Sequence, residues 1–210
     1  MVDLKRINAY CEAHSSPPSN ILLELERETY LKTLAPQMLS GRLQGQLLSF
    51  VSKWLRPDSI LEIGTFTGYG TICLSAGLAA NGIIHTIEVN PELAYISNKY
   101  FKKTGIDKQV IRHTGDAKDI IPTIGDAFDL VYLDAGKHDY ESHYDLIIEK
   151  IKEGGVILAD NVLWSGKVGI NLNDKDTKIL ESFNKKVHQD NRVENLLLPV
   201  RDGLMVIIKK

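Results

Sequence analysis

The stretch that decides the fold is SILEIGTFTGYG, residues 59–70. Its first half is a short apolar run typical of a buried β-strand, and its second half holds three glycines where a helical pattern begins. Gly64 and Gly68 permit a tight backbone turn at this strand-to-helix junction. In an open α/β sheet, such a junction lies at the carboxyl edge of the strands, where ligands bind. The stretch therefore predicts an α/β protein with a ligand site at its first turn.

Strand-like and helical patterns alternate along the chain after residue 59. Short apolar runs predict strands, and the segments between them, such as YGTICLSAGLAA (69–80), place apolar residues at helical spacing. This alternation requires crossover connections and a mainly parallel sheet covered by helices. Near the end of the chain, two consecutive apolar runs joined by Arg201-Asp202-Gly203 predict an antiparallel hairpin instead. The predicted strands are 59–63, 83–89, 109–114, 128–134, 155–160, 193–200 and 203–210.

Composition sets broad limits on what the protein is. The chain has 210 residues, 43% hydrophobic and 25% charged, so we predict a single domain over 1–210, with a helical segment 1–58 before the core 59–210. The formal net charge of −2 provides no overall positive field for nucleic acid. Cys11 and Cys73 lack metal-site or disulfide-framework spacing, and no segment is long and apolar enough to span a membrane. We therefore expect a cytoplasmic protein without a membrane partner.

Three acidic residues lie near the ends of the first three predicted strands. Glu62 precedes Gly64 by two positions, where a carboxylate suits a ligand with a cationic or ammonium-bearing part. Glu88 follows at about the spacing at which an acidic residue binds ribose hydroxyls, and Asp116, with Ala117, is placed for an adenine. A tight turn alone explains the glycines, and a solvated strand end alone explains Glu88. Their joint occurrence favours S-adenosylmethionine as the cofactor.

Charged residues also close the fourth and fifth predicted strands. Asp134 ends the fourth strand, and Asp160 and Asn161 end the fifth, so two carboxylates and an amide oxygen converge on the same edge. Such hard oxygen ligands suit Mg²⁺, with Mn²⁺ and Ca²⁺ as alternatives. Lys137 stands in the turn beside them. The simpler interpretation is that the aspartates cap loops and that Lys137 pairs with one of them.

The motifs closely resemble, in order and spacing, those of the cation-dependent O-methyltransferases of the catechol and caffeoyl-coenzyme A type. This resemblance implies a class I methyltransferase Rossmann-like fold, with a seven-stranded, mostly parallel sheet, an antiparallel last strand and helices on both faces. Gly136 stands where many relatives have an aspartate, at the substrate mouth. The motifs are ILEIGTFTGYG (60–70), HTIEVN (85–90), GDA (115–117), FDLVYLDAGKHDY (128–140) and GGVILADNVLWSGKV (154–168), with further likeness in APQMLSGRLQG (35–45) and LLPVRDGLMVIIKK (197–210).

The resemblance also implies an activity. It is the transfer of a methyl group from S-adenosylmethionine to a hydroxyl of a small catechol-like or vicinal-diol acceptor, dependent on a divalent metal. In the family, the residues that match Asp134, Asp160 and Asn161 hold the cation, and the lysine that matches Lys137 is the base. A bound cation lowers the pKa of the acceptor hydroxyl, which then loses its proton to the base.

Several further positions receive a predicted role. Tyr69 either covers the cofactor or is a core aromatic at a helix start. Met38, Tyr140 and Trp164 are candidate acceptor contacts, with packing as the alternative for Tyr140 and Trp164. The predicted cofactor site is Glu62, Gly64, Gly68, Tyr69, Glu88, Asp116, Ala117 and Asp134.

Partners follow from the resemblance as well. Relatives are commonly homodimers, and residues 1–58 are expected to form a lid or a dimer contact. Two other functions stay open. One is methylation of a hydroxylated nucleoside in tRNA, and the other is a cofactor-binding interaction protein without activity. The first would use a basic surface formed by Lys99, Lys102, Lys103, Lys185 and Lys186.

Overall fold

A computed structural model of the protein describes residues 4–125, 127–170 and 174–210. Its strands form one seven-stranded sheet in the order β3-β2-β1-β4-β5-β7-β6. The pairs among β1 to β5 are all parallel, and β7 is antiparallel to both of its neighbours. The predicted fold class, with its antiparallel last strand, is therefore confirmed. The strands are β1 Ser59–Ile63, β2 Ile83–Glu88, β3 Val110–Thr114, β4 Phe128–Leu133, β5 Ile151–Ala159, β6 Val193–Leu198 and β7 Leu204–Lys209.

Eight α-helices are found within the described residues, together with single turns of 3₁₀-helix at 36–38, 75–77, 91–93, 121–123 and 137–139. The helices are α1 Leu4–Ala13, α2 Asn20–Lys32, α3 Gly41–Leu55, α4 Tyr69–Leu74, α5 Ala94–Thr104, α6 Ala117–Ile120, α7 Tyr140–Lys150 and α8 Lys175–Gln189. Helices α2 and α3 lie before the sheet, as the pattern of residues 1–58 predicts.

Most strand ends lie within two residues of the prediction, and the two largest differences concern α4 and β5. Helix α4 ends at Leu74, although the pattern predicts helix to residue 80, because hydroxyls of α3 bind its last carbonyls: Ser49 Oγ donates to Cys73 O at 3.1 Å and Ser52 Oγ donates to Leu74 O at 2.5 Å. Strand β5 begins at Ile151 rather than at residue 155, because Ile151 pairs with Phe128 ahead of a register shift. Both differences arise from contacts between distant segments.

The central strands are buried on both faces. Ile60 packs in a core with Leu48 of α3 and Tyr100 of α5. On the other face, Leu61 packs in a core with Tyr144 of α7 and Phe183 of α8. Because helices cover both faces of the sheet, a ligand can approach it at the carboxyl ends of the strands. No helix in the described ranges is long and apolar enough to cross a membrane.

Candidate active site

The carboxyl ends of the central strands border a cleft of about 680 Å³. The 3₁₀ segment before α3 and the turn between β6 and β7 complete its walls. The structure thus brings together residues that are far apart in the sequence. The predicted site residues that line the cleft are Met38, Gly64, Glu88, Asp116, Ala117, Asp134, Lys137, Tyr140, Asp160, Asn161 and Trp164. The stretch from Trp164 to Asp176 is also expected to border the acceptor, and its residues 171–173 lie outside the described residues.

The glycine turn places β1 directly against the end of β4. Gly64 has φ +105°, and a Cβ at this position would collide with the carbonyl oxygen of Asp134. Gly68 has φ +92°, and a Cβ there would lie 2.7 Å from the ring of Phe101. Glycine is therefore required at both positions for steric as well as conformational reasons. Gly68 does not line the cleft; it lies on the side of the turn that packs against Phe101.

Glu62 lies behind the glycine turn, on the sheet face that α4 covers. It is fully buried, and its Oε2 accepts hydrogen bonds from the hydroxyls of Thr71 and Thr86. Its Oε1 has no hydrogen-bond partner in the described part of the chain, and a Cβ at Gly70 would lie 2.5 Å from it. Burial, which outweighs the two hydroxyl hydrogen bonds, raises the pKa of Glu62 to about 8. Glu62 therefore does not line the cleft, and as a buried carboxyl group it lacks a donor for one oxygen.

Glu88 ties the glycine turn to the end of β2. Its Oε2 accepts from the backbone N–H of Phe66 at 2.7 Å, and its Oε1 accepts from the N–H of Asn90 at 2.9 Å. A carboxylate has about four lone-pair positions, so each oxygen keeps capacity for another donor. Glu88 borders the cleft, in the place expected for a group that binds hydroxyls.

Asp116 and Ala117 begin α6 at the end of β3. Asp116 is the N-cap of this short helix, and its Oδ1 accepts from the backbone N–H of Lys118 at 2.9 Å. Lys118 also donates to Asp139 at 2.8 Å, which joins this corner of the cleft to the turn after β4. Ala117 is buried and presents an apolar surface beside Asp116.

Asp134 and Asp160 place two neighbouring carboxyl groups at the ends of β4 and β5. The hydroxyl of Tyr132, which has a single proton to donate, lies within hydrogen-bond distance of both, at 3.2 Å from Asp134 and 2.9 Å from Asp160. Asn161 donates to Asp134 through its side chain at 2.8 Å. Burial raises the pKa of both carboxyl groups, and the negative charge of Asp160 raises that of Asp134 further. Arg201 opposes this rise at both groups. Two acids that repel each other in a cleft are a setting in which a cation binds favourably.

Lys137 does not pair with either of these aspartates. Its Nζ lies 3.3 Å from Asp176 Oδ2 and 3.1 Å from the centroid of the Trp164 ring. Trp164 has φ +47°, and its backbone N–H donates to the carbonyls of Asn161 and Asp202. The simpler interpretation predicts an ion pair between Lys137 and a strand-end aspartate, and it is wrong because Lys137 pairs with Asp176 instead. The lysine is instead held between an aromatic ring and a carboxylate of α8.

The remaining predicted residues differ in how they meet the cleft. Met38 is 61% exposed on its rim. Tyr140 is buried, and its hydroxyl donates to the carbonyl of Asp160 at 2.8 Å, so packing is its main contact. Tyr69 is a buried core aromatic that faces only a narrow side recess, together with Ser40 and Gly70.

Four residues of the site have no role in the sequence prediction. Tyr132 lies within an apolar strand, Asp176 begins a distant helix, and Arg201 and Asp202 form a hairpin turn. The side-chain alternation in β4 places Tyr132 on the same face as Asp134 and was the one usable signal for it. Arg201 lines the cleft and Asp176 contacts Lys137 only through tertiary packing, and the sequence carries no local sign of this.

Comparisons with known proteins agree with this geometry. A family model described as O-methyltransferase matches residues 12–210. The caffeoyl-CoA O-methyltransferase of Stellaria longipes is 28% identical over 179 residues, which cover 80% of this chain and 74% of that protein. A probable caffeoyl-CoA O-methyltransferase of Dictyostelium discoideum is 28% identical over 207 residues, or 95% of this chain and 90% of its own.

Two solved structures are similar over nearly the whole chain. The S-adenosylhomocysteine (SAH)-bound methyltransferase PaMTH1 of Podospora anserina has a TM-score of 0.90 at 31% identity, with coverage of 99% of this chain and 95% of that one. The O-methyltransferase of Bacillus cereus in complex with SAH has a TM-score of 0.90 at 26% identity, with coverage of 98% and 97%. The resemblance that the motifs predict is confirmed: this chain belongs to the O-methyltransferase family and is a methyltransferase.

Proposed function

We propose that the protein transfers a methyl group from S-adenosylmethionine to a hydroxyl of a small catechol-like or vicinal-diol acceptor, with a divalent cation bound in the cleft. The observation that carries this proposal is the convergence of Asp134, Asp160, Asn161 and Lys137 on the wall of the cleft that the glycine turn also borders. A generic ligand cleft has no need of paired carboxyl groups beside a lysine.

The residues present fit the proposed cofactor. The unsatisfied Oε1 of Glu62 lacks a donor, which the ammonium of the methionyl part would supply. Glu88 keeps acceptor capacity for ribose hydroxyls, and Asp116 stands at the far corner of the cleft, where an adenine is expected. Bound S-adenosylmethionine supplies an electrophilic methyl group. Similar structures from Podospora anserina and Bacillus cereus were solved with SAH, which supports this choice.

The residues also fit a divalent cation, Mg²⁺ first and Mn²⁺ or Ca²⁺ as alternatives. In the described residues, no three His, Cys, Asp or Glu side chains form a metal-binding group. The proposed set is therefore the carboxylates of Asp134 and Asp160 with the amide oxygen of Asn161, an all-oxygen set that leaves room for water and the acceptor. When bound, the cation would lower the pKa of an acceptor hydroxyl.

The protein's own groups would then position the acceptor and move its proton. Lys137 is proposed to accept the proton from the acceptor hydroxyl. Asp176, 3.3 Å from Lys137 Nζ, would stabilise the ammonium that results, and the ring of Trp164 restricts where this ammonium can lie. Methyl transfer itself depends mainly on alignment of the two reactants in the cleft.

Two measurements test this proposal. Calorimetry should show SAH binding. A Mn²⁺ titration followed by electron paramagnetic resonance should show one cation bound per chain, and Asp160→Asn should weaken this binding. A panel of catechols, caffeoyl esters and bulk tRNA, assayed with labelled methyl donor with and without Mg²⁺, then identifies the acceptor. Failure to bind SAH at millimolar concentration would exclude the cofactor, and metal-independent turnover would exclude the cation.

The alternative acceptor, a nucleoside in tRNA, gains no support from the lysines expected to form a basic surface. Lys99 pairs with Glu28 at 2.5 Å and Lys186 with Asp145 at 2.6 Å. Lys103 pairs with Glu24, and Lys185 with Glu181. The charges of four of the five lysines are thus largely compensated, and a small-molecule acceptor is favoured.

We also propose that the protein is a homodimer that acts in the cytoplasm. Apolar side chains of α2, α3 and the segment between them are exposed, which suits a contact with a second copy. They are Tyr30, Leu31, Leu34, Phe50 and Trp54. Light scattering should give twice the chain mass, and Trp54→Glu should reduce it to the monomer value. Both cysteines are unpaired, which suits a reducing compartment.

A further inference from the structure

Lys137 and Arg201 are the lysine and arginine side chains that line the cleft in the described residues, and they differ in whether they have a partner. Lys137 is bound by Asp176 and Trp164. Arg201 is exposed, and its guanidinium makes no hydrogen bond or ion pair with any residue that the structure describes. A guanidinium has five donors in a planar fork, so Arg201 offers the cleft an unused site for a planar anion.

Hydrogen bonds fix the backbone turn that contains Arg201, although its side chain makes none with the described residues. Arg201 has φ +50°, a left-handed conformation that arginine rarely adopts. The turn is closed by a hydrogen bond from Gly203 N–H to the Val200 carbonyl, and the Asp202 carbonyl accepts from the N–H groups of Leu163 and Trp164. The Asp202 side chain accepts from the Ser165 hydroxyl. The turn is therefore tied to the segment that follows Asn161, and it directs Arg201 toward the cleft.

The guanidinium lies between this turn and the start of α3. Its Nη1 is 3.7 Å from where a Cβ on Gly41 would be, so the guanidinium lies close to the backbone of that residue. The charge of Arg201 also acts on both Asp134 and Asp160, where it lowers the pKa that burial raises. Arg201 also lines the same cleft as Asp134 and Asp160, where the acceptor is proposed to bind.

The charge balance changes when the proposed cation is present. A divalent cation would compensate the two carboxylates of Asp134 and Asp160, and the positive charge of Arg201 would then lack a counterion in the cleft. We infer that Arg201 is a specificity residue that binds a carboxylate of the acceptor, so that the preferred acceptors are acidic catechols such as 3,4-dihydroxybenzoate. This inference rests on the proposed function, because it assumes a catechol-like acceptor at the carboxylate pair.

The test compares an acid with its neutral ester. With Mg²⁺ present, kcat/KM is measured for 3,4-dihydroxybenzoate and its methyl ester, in the wild type and in Arg201→Gln and Arg201→Lys. The acid should be preferred by the wild type, and Arg201→Gln should reduce this acid-to-ester ratio by about 10- to 100-fold, as expected for a charge-assisted hydrogen bond. Arg201→Lys should keep part of the ratio, since it keeps the charge but loses the planar fork.

Arg56→Gln is the matched control. Arg56 is also an exposed arginine with a left-handed backbone, φ +48°, but it ends α3 and does not line the cleft. It should leave the acid-to-ester ratio unchanged. Arg201 could instead act as a counterion for the carboxylates of Asp134 and Asp160. A metal titration of Arg201→Gln tests this second role, because loss of a counterion would change the affinity for the cation.

The outcomes distinguish the two proposals. If Arg201→Gln changes metal affinity but not the acid-to-ester ratio, the inference is wrong and the proposed function stands. If the wild type methylates neither compound, the proposed catechol acceptor fails. Calorimetry of 3,4-dihydroxybenzoate with the protein, SAH and Mg²⁺ then decides the inference by itself. Binding that is lost only in Arg201→Gln supports it, and absence of wild-type binding overturns it.

Discussion

Glu62→Gln should change how the stability of the cofactor-free protein depends on pH. Glu62 is fully buried, and burial raises its pKa to about 8 from an ordinary value of 4.5. Below the unfolded-state value, the group is protonated in both states and costs no stability. As pH rises, unfolding increasingly releases a proton, so the free energy of unfolding falls until pH exceeds the folded-state pKa. Each pH unit between the two pKa values is worth about 1.36 kcal/mol, which gives a total near 5 kcal/mol.

Urea unfolding of the wild type and Glu62→Gln from about pH 5 to about pH 9 measures this effect. The free energy of unfolding of the wild type should fall relative to that of the variant, by up to about 4 kcal/mol, over this range. Glutamine keeps the shape of the side chain and cannot ionise, so it isolates the charge. Glu194→Gln, which removes an exposed glutamate on β6, is the control and should show no such trend.

The same variant tests the proposed contact with the cofactor. An ammonium beside Oε1 would favour ionised Glu62, so SAH binding near pH 7 should release a proton from the wild type but not from Glu62→Gln. Calorimetry in buffers of different ionisation enthalpy measures this release. A difference in unfolding free energy between wild type and variant that stays flat across the pH range would refute the reasoning about Glu62.

Three further predictions concern the cleft. Lys137→Ala should lower kcat by about 10²- to 10⁴-fold while SAH affinity, measured by calorimetry, stays near wild type; near-normal turnover would leave the lysine only a partner of Asp176. Asp134→Ala should weaken Mn²⁺ binding in a metal titration and lower turnover, with part of the activity restored at high metal concentration because two proposed ligands remain. Gly64→Ala should destabilise the protein in urea unfolding by more than about 3 kcal/mol, because φ is +105° and the added Cβ collides with the Asp134 carbonyl. Gly136→Ala is the control and should change stability by less than about 1 kcal/mol, because Gly136 has φ −59° and open space around it. Equal stability of the two glycine variants would contradict the steric argument.

Much of the fold could be predicted from local sequence. Strand β1 occurs at the predicted bounds, and β6 and β7 form the predicted hairpin. Side-chain periodicity and glycine placement are local properties, so they report local structure well. The end of α4 and the start of β5 could not be predicted, because hydroxyls of α3 and pairing with Phe128 set them.

The candidate site divides in the same way. Asp134, Asp160 and Asn161 follow strand ends, and the ends of parallel strands meet at one edge, so the sequence alone predicted that they lie together. The partner of Lys137 could not be predicted, because Asp176 belongs to a helix that reaches the cleft only when α8 packs on the sheet.

What the sequence by itself determined is the order of strands and helices and the type of chemistry at the sheet edge. What only the tertiary structure decided is the state of each group. Glu62 is buried with an unsatisfied oxygen, Lys137 lies between Trp164 and Asp176, and Arg201 forms no ion pair with a described residue. The reason is physical: desolvation and charge pairing depend on distances between atoms of distant segments, and local sequence patterns do not encode those distances.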